Sequence, residues 1–291
     1  GVGVVGTSEI GEGNAEFEYV SGQYRVSFPS LLAAFEKESA ACCEELSGRE
    51  LDIRYGPGEL ECYDFFPTQG PAKGVMVFFH AGYWQSRDKC TFRFIAKAFA
   101  EHGVHVALVN YPLCPSVNIA EIIESAERAI YKIRDYRVDG KAVTAPMLLV
   151  GHSAGAQIAL ELAMKIGGSC SDLLQQIAGI VGISGVYDLV PLVQTTLNRN
   201  LHLDTAMAHR LSPAHKTVYL GIPAVFMVGK AETPAFLRQN RQMGARWRDA
   251  GNPCEQMESE ADDHFSVLRT LADPHGRVFL ACQRLFAAWH A

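Results

Sequence analysis

Gly151-His152-Ser153-Ala154-Gly155 stands between two stretches of opposite character, and that placement constrains the fold more than any other feature of the sequence. Ahead of it runs Met147-Leu148-Leu149-Val150, a short apolar run of the kind that forms a strand buried on both faces. Behind it, Ala156 to Lys165 consists almost throughout of good helix formers. A strand passing straight into a helix through G-x-S-x-G lifts a serine hydroxyl clear of the sheet on a sharp, strained turn. Glycine suits the outer positions because a Cβ there would strike the neighbouring strand or helix. A glycine-rich helix start without chemistry is the plain alternative, and the strand and helix on either side argue against it. The segment is expected to present Ser153 as a nucleophile.

Such a serine needs donors and a base. The N–H after the nucleophile, on Ala154, is one candidate for the oxyanion hole. A second apolar run, Val75 to Phe79, leads into His80-Ala81-Gly82-Tyr83-Trp84, whose Gly82 and Tyr83 N–H groups are candidates for the rest. His264, in the polar loop Asp262-Asp263-His264-Phe265-Ser266, is the best placed of ten histidines to act as base. Glu232, just past the apolar run Pro223 to Gly229, is the candidate acid, which gives the chain order Ser, Glu, His. Glu232 also suits the start of a helix expected from Pro234 to about Ala250, and the two roles are compatible. Asp262 and Asp263 lie too close in sequence to His264 to reach its far nitrogen comfortably. His80 and His152 fall inside the two motifs and are expected to brace their loops by hydrogen bonding.

Strands are expected near 51–56, 60–66, 75–80, 105–111, 147–150, 178–184, 223–229 and 254–258. Helices are expected over 91–101, 119–134, 156–165, 234–250 and 277–289. This alternation implies βαβ units. Together with the elbow it implies an α/β-hydrolase fold, a mostly parallel central sheet flanked by helices, in one domain over residues 1–291. An N-terminal helical arm is expected from Ser30 to about Leu46, and a lid-like insertion over about 187–216. Residues 1 to about 18 are expected to be unstructured, and Gly1 to Gly6 is too short and lacks the basic region of a signal peptide.

Several segments together resemble the α/β-hydrolase type of kynurenine formamidase (arylformamidase). His80-Ala81-Gly82-Tyr83-Trp84 is similar to that family's HGGxW oxyanion motif. Arg54-Tyr55-Gly56-Pro57-Gly58 with Tyr63-Asp64-Phe65-Phe66-Pro67 resembles its N-terminal strand pair, and Val109-Asn110-Tyr111-Pro112-Leu113 the strand and turn after the first helix. Gly185-Val186-Tyr187-Asp188-Leu189 and Leu211-Ser212-Pro213 resemble the segment over the site, Glu232 to Phe236 with Arg238-Gln239 the acid loop, and Asp263-His264-Phe265 the histidine loop. The likeness is scattered over about residues 20–290. Ala81 departs from the usual first glycine of HGG, and Glu232 from the frequent Asp, which lengthens the reach to His264. The resemblance implies hydrolysis of an N-formyl arylamine, N-formylkynurenine in tryptophan catabolism. The formyl side needs little room and the arylamine a flat wall, for which Trp84, Tyr187 and Phe265 are the substrate-binding candidates. Arg199, Arg210 and His202 are candidates for the substrate's charged end.

Composition fits a soluble enzyme. A net charge of −6 argues against nucleic acid or an anionic membrane as partner, and no 18-residue apolar run exists to span a bilayer. Eight cysteines without C-x-x-C or zinc-ligand spacing read as reduced thiols, so a cytoplasmic location is expected. The chemistry requires no metal or organic cofactor; the partner expected is a small-molecule substrate, and the oligomeric state is open, with a homodimer among the outcomes. Ester and formamide hydrolysis use the same groups, so a carboxylesterase is the second hypothesis. A hydrolase-fold receptor without catalysis is the third, disfavoured because no triad member is missing.

Overall fold

The computed structural model describes residues 14–169 and 171–290. Strands β1 (Glu50–Arg54), β2 (Cys62–Phe66), β3 (Gly74–Phe79), β4 (Val104–Val109), β5 (Met147–His152), β6 (Ile177–Ile183), β7 (Ala224–Gly229) and β8 (Cys254–Ser259) form one sheet. Its order is β1-β2-β4-β3-β5-β6-β7-β8. The β1–β2 and β2–β4 pairs are antiparallel; all others are parallel. Every residue of β3 to β7 is buried, which is why those segments read as unbroken apolar runs rather than as alternating ones. Successive side chains still point to opposite faces. Val75, Val77, Leu149 and Phe79 enter one core, and Met76, Phe78, Leu148 and Val150 the other.

Five longer helices cover the two faces: α1 (Phe28–Glu45), α2 (Ile119–Arg134), α3 (Ala154–Gly167), α4 (Pro234–Asp249) and α5 (Arg277–Ala288). The α2 helix shows why such elements form. Asn118 caps it reciprocally with Glu121, each side chain accepting the other's backbone N–H. Ile119, Ile122, Ile123, Ala126, Ile130 and Ile133 then fall on one buried stripe at three- and four-residue spacing. Each buried Ile contributes roughly 1.5–3 kcal/mol through apolar area removed from water. On the other face, Phe35 of α1 stacks on Phe94 with ring centroids 4.3 Å apart.

Three local features differ from expectation. The helix expected over 91–101 is a 3₁₀ segment, Lys89–Ile95, followed by a single helical turn, Ala96–Ala100. Lys89, Phe92 and Ile95 recur every third residue and are all buried, a pattern the tighter helix eclipses onto one side. Its start is pinned by an ion cluster running from the buried Asp64 to the exposed Asp52, in which Lys89 Nζ lies 2.6 Å from Asp52 and 2.9 Å from Asp64, and Arg93 Nε 2.7 Å from Asp64. The chain is also ordered earlier than expected: residues 14–21 are helical, while the part of that expectation covering residues 1–13 lies outside the described residues. Arg137–Val138 and Lys141–Ala142 form a small hairpin that the sequence reading did not include. The lid-like stretch consists of short turns at Val190–Gln194, Asn198–Leu201, Thr205–Arg210 and Pro213–His215. Among the described residues no helix is long and apolar enough to cross a membrane.

Candidate active site

Ser153 stands between β5 and α3 with φ 58° and ψ −119°. A non-glycine residue in this region is strained by roughly 1–3 kcal/mol, which the surrounding packing must hold. Glycine is forced on both sides: a Cβ on Gly151 would lie 2.0 Å from the Gly155 carbonyl oxygen, and one on Gly155 would lie 2.0 Å from that of Phe79. Parallel pairing brings β5 beside β3 and β6, with Gly151 opposite Phe79 and His152 opposite Ile183. The serine therefore emerges where the loops that follow β3 and β6 also begin.

Those loops and the ones after β7 and β8 supply the rest. His264 Nε2 lies 3.0 Å from Ser153 Oγ, and His264 Nδ1 lies 2.7 Å from Glu232 Oε1. With a carboxylate at Nδ1, the proton of the neutral ring belongs there, leaving Nε2 free to accept from the serine hydroxyl. Exposures of 1% for Ser153, 5% for Glu232 and 7% for His264 place this relay in a low-dielectric setting, where its hydrogen bonds are strong. Glu232 Oε2 accepts from Gly229 N–H at 2.8 Å and from the Ser184 hydroxyl; Oε1 also accepts from Gln23 Nε2 at 3.0 Å. Asp262 and Asp263 instead tie their own loop, accepting from Ser259 and Ser266 and from the N–H groups of Phe265 and Ser266.

The loop after β3 turns back sharply, with φ of 136°, 51° and 62° at Gly82, Tyr83 and Trp84. Ala81 keeps out of the positive-φ region, so the residue in place of a glycine introduces no strain there. The N–H groups of Gly82, Tyr83 and Ala154 donate to no described residue, as donors kept for a ligand oxygen would. His80 stacks on Tyr111 with centroids 4.6 Å apart, and Tyr111 Oη donates to the His80 carbonyl at 2.6 Å. Burial lowers the His80 pKa to about 4, so its ring is neutral. His152 is held neutral for the same reason, and its Nε2 lies 2.7 Å from the His264 carbonyl oxygen, fixing the backbone of that loop.

Two of the three aromatic residues expected to form a flat substrate wall are placed differently. Trp84 is fully buried, its indole N–H donating to Gln157 Oε1 at 2.8 Å while Gln157 Nε2 donates to the Leu211 carbonyl at 3.0 Å. Tyr187 is fully buried too, its ring fitted against Gly182 and Gly185, where a Cβ would come within 2.3 Å of it. Both are supports inside the core, not an open wall. Phe265 does lie at the site, edge-on to His264 at 5.3 Å, with the Arg87 guanidinium 4.7 Å above its ring. Arg199 and Arg210 lie in the helical turns Asn198–Leu201 and Thr205–Arg210, and His202 caps the first of these in a left-handed conformation. Arg87 forms no ion pair with any described residue and was not anticipated from the sequence, nor were Gln23 and Ser184. Among the described residues no cluster of His, Cys, Asp or Glu could hold a metal ion.

Residues 76–268 match a family profile described as the alpha/beta hydrolase fold. The chain is 26% identical over 230 residues to the kynurenine formamidase of Danio rerio, covering 77% of each sequence. It is also 26% identical over 245 residues to the kynurenine formamidase of Salmo salar, covering 81% of this chain and 82% of the relative. Among solved structures, a candidate thioesterase from Silicibacter sp. TM1040 matches with a TM-score of 0.80 at 26% identity, covering 95% of this chain and 98% of that one.

Proposed function

This chain belongs to the α/β-hydrolase fold family, and from that premise we propose that it is a serine hydrolase that cleaves the formamide of N-formylkynurenine to kynurenine and formate. The observation that carries the hydrolytic reading is the unbroken relay from Ser153 through His264 to Glu232, mounted on a strained elbow. The substrate class rests on the likeness to two kynurenine formamidases over about four-fifths of the chain.

The chemistry follows from the geometry. His264 Nε2 takes the Ser153 proton as Oγ attacks the formyl carbon, and Glu232 stabilises the imidazolium that forms. The N–H groups of Gly82, Tyr83 and Ala154 receive the oxyanion, each worth on the order of 3 kcal/mol in related acyl transfer. His264 then passes its proton to the arylamine nitrogen, which departs. A water molecule, deprotonated by His264 Nε2, attacks the formyl-enzyme, and His264 returns the proton to Ser153 Oγ as formate is released. The nearly buried serine suits a formyl group, the smallest acyl group there is. N-formylkynurenine also carries a carboxylate, and Arg87 over Phe265 supplies a cation beside the site. The seven free cysteines among the described residues support a cytoplasmic location.

Turnover of N-formyl-L-kynurenine beside p-nitrophenyl acetate, by the native chain and by Ser153→Ala, tests this reading. Deformylation that exceeds ester turnover and disappears in the variant is expected. Ester turnover with negligible deformylation would assign the protein to the carboxylesterases, and loss of neither activity in Ser153→Ala would overturn the mechanism.

A further inference from the structure

Residues 14–28 meet the loops of the site, which lie far from them in sequence. Tyr83 of the oxyanion loop donates its hydroxyl to the Tyr19 carbonyl, and Thr233 of the acid loop donates its own to the Glu18 carbonyl at 2.6 Å. Glu16 accepts from the backbone N–H of Thr196 in the lid-like stretch at 2.8 Å, and Phe28 packs edge-on against Phe265 beside His264. Within this strap, Gln23 is 6% exposed and touches the relay itself. Its Oε1 accepts from the Thr233 backbone N–H at 2.8 Å, and its Nε2 donates to Glu232 Oε1 at 3.0 Å.

The amide cannot be turned round. A backbone N–H is only a donor, so the atom facing Thr233 must be oxygen, and the NH₂ must then face the carboxylate. It meets the same oxygen that accepts from His264 Nδ1. Glutamate has one more rotatable bond than aspartate, so a Glu in the acid position needs more to hold it in one geometry. Here both oxygens are held, Oε2 by Gly229 and Ser184 and Oε1 by Gln23.

We propose that Gln23 is a positioning residue for the Ser153–His264–Glu232 relay, supplied by the N-terminal strap, and that it sets both the orientation of Glu232 and the basicity of His264. The amide hydrogen brings partial positive charge to the carboxylate oxygen beside the imidazole. That charge disfavours the imidazolium, so removing the donor raises the proton affinity of His264. The other titratable groups facing the pair are His152, with its ring centroid 5.0 Å from that of His264, Arg87 across Phe265, and the hydroxyls of Tyr83 and Tyr187. None of them changes on substitution of Gln23.

The inference rests on the triad reading and not on the substrate, so the assay uses whichever substrate the native enzyme turns over in a Ser153-dependent way. Gln23→Met keeps the length and removes the donor. Its kcat/KM is expected to fall about tenfold to a hundredfold, a range set by the sensitivity of catalysis to small misplacements. The acid limb of its kcat/KM profile is expected to move toward higher pH. Tyr19→Phe loosens the same strap at Gln239 without touching Glu232, and its acid limb is expected to stay in place. If Gln23→Met does not fold, Gln23→Glu serves, since it donates only while it holds a proton. Its profile should gain a loss toward high pH that the native enzyme lacks. A Gln23 variant with the native pH profile, whatever its thermal stability, overturns the proposal. Absence of Ser153-dependent turnover in the native enzyme would instead overturn the triad reading beneath it.

Discussion

Glu232→Gln keeps the shape of the acid and removes its charge, and the structure determines which way the new amide must lie. If the NH₂ replaced Oε1, it would face two donors, the His264 Nδ1–H and Gln23 Nε2, and Gln23 is barred from turning by the Thr233 N–H. If it replaced Oε2, it would face the Gly229 N–H, while the Ser184 hydroxyl could rotate to accept. The second placement has one conflict against two and is favoured. It leaves the Gly229 N–H buried without a partner, at about 1–3 kcal/mol of stability. The imidazole keeps its productive tautomer but loses its counter-charge. Opposite charges about 4 Å apart interact by about 4 kcal/mol at the effective dielectric constant that holds even for buried pairs, about 20, and that much on the barrier is about a thousandfold in kcat. The assay is kcat for Glu232→Gln beside the native chain, with thermal denaturation of both. Activity within tenfold of native would refute the electrostatic argument. A loss well beyond ten-thousandfold would refute the placement, because it would signal the wrong tautomer.

Three further outcomes are expected. The His80 pKa, near 4 in the fold against about 6.5 when unfolded, means the unfolded chain binds the extra proton. Stability should therefore be complete above about pH 6.5 and decline as pH falls toward 4, by about 3 kcal/mol from this group, with His152 adding to the loss. Urea midpoints at pH 7.5 and 5 should show this, and a dependence unchanged in His80→Phe would remove His80 as the cause. Gly155→Ala puts a methyl group 2.0 Å from the Phe79 carbonyl oxygen, so β3 or α3 must shift; loss of Ser153 labelling by an organophosphate is expected, and native labelling would contradict the crowding argument. Arg87→Gln should raise KM for N-formylkynurenine several-fold and leave KM for p-nitrophenyl acetate unchanged; equal effects on both would mean that Arg87 does not meet a carboxylate.

What the sequence made legible follows from how local each cause is. The elbow could be read because strand, strained turn and helix are contiguous, and steric demands at Gly151 and Gly155 act within a few residues of Ser153. Glu232 could be placed because it follows an apolar run, and His264 because it lies in a polar loop beyond a late strand, the two strands ending at the same edge of a parallel sheet. Gln23 could not, since its partners lie 209 and 210 positions away and nothing in its own segment marks it as buried. The aromatic wall was misread for a related reason. Trp84 beside a catalytic loop looks like a surface for substrate, but a buried polar group elsewhere claimed its N–H. The signal was available in Gln157, a polar side chain in a helix otherwise apolar around the whole of its first turns, which required a partner once buried.

The strap has a consequence for how the enzyme comes into being. Glu18, Tyr19 and Gln23 leave the ribosome well before the residues they bond to, Thr233, Arg238, Gln239 and Glu232, which follow up to 220 positions later. Contacts so distant carry a large loop-closure entropy and form late. The central strands can pair while the chain is still being made, but a growing chain holds no complete relay until His264 has emerged and residues 14–28 have come back to meet it. Activity in this protein is thus the last property acquired in folding. Cleavage that removed residues 14–28 would leave Glu232 held through Oε2 by Gly229 and Ser184, with the Gln23 amide gone from Oε1.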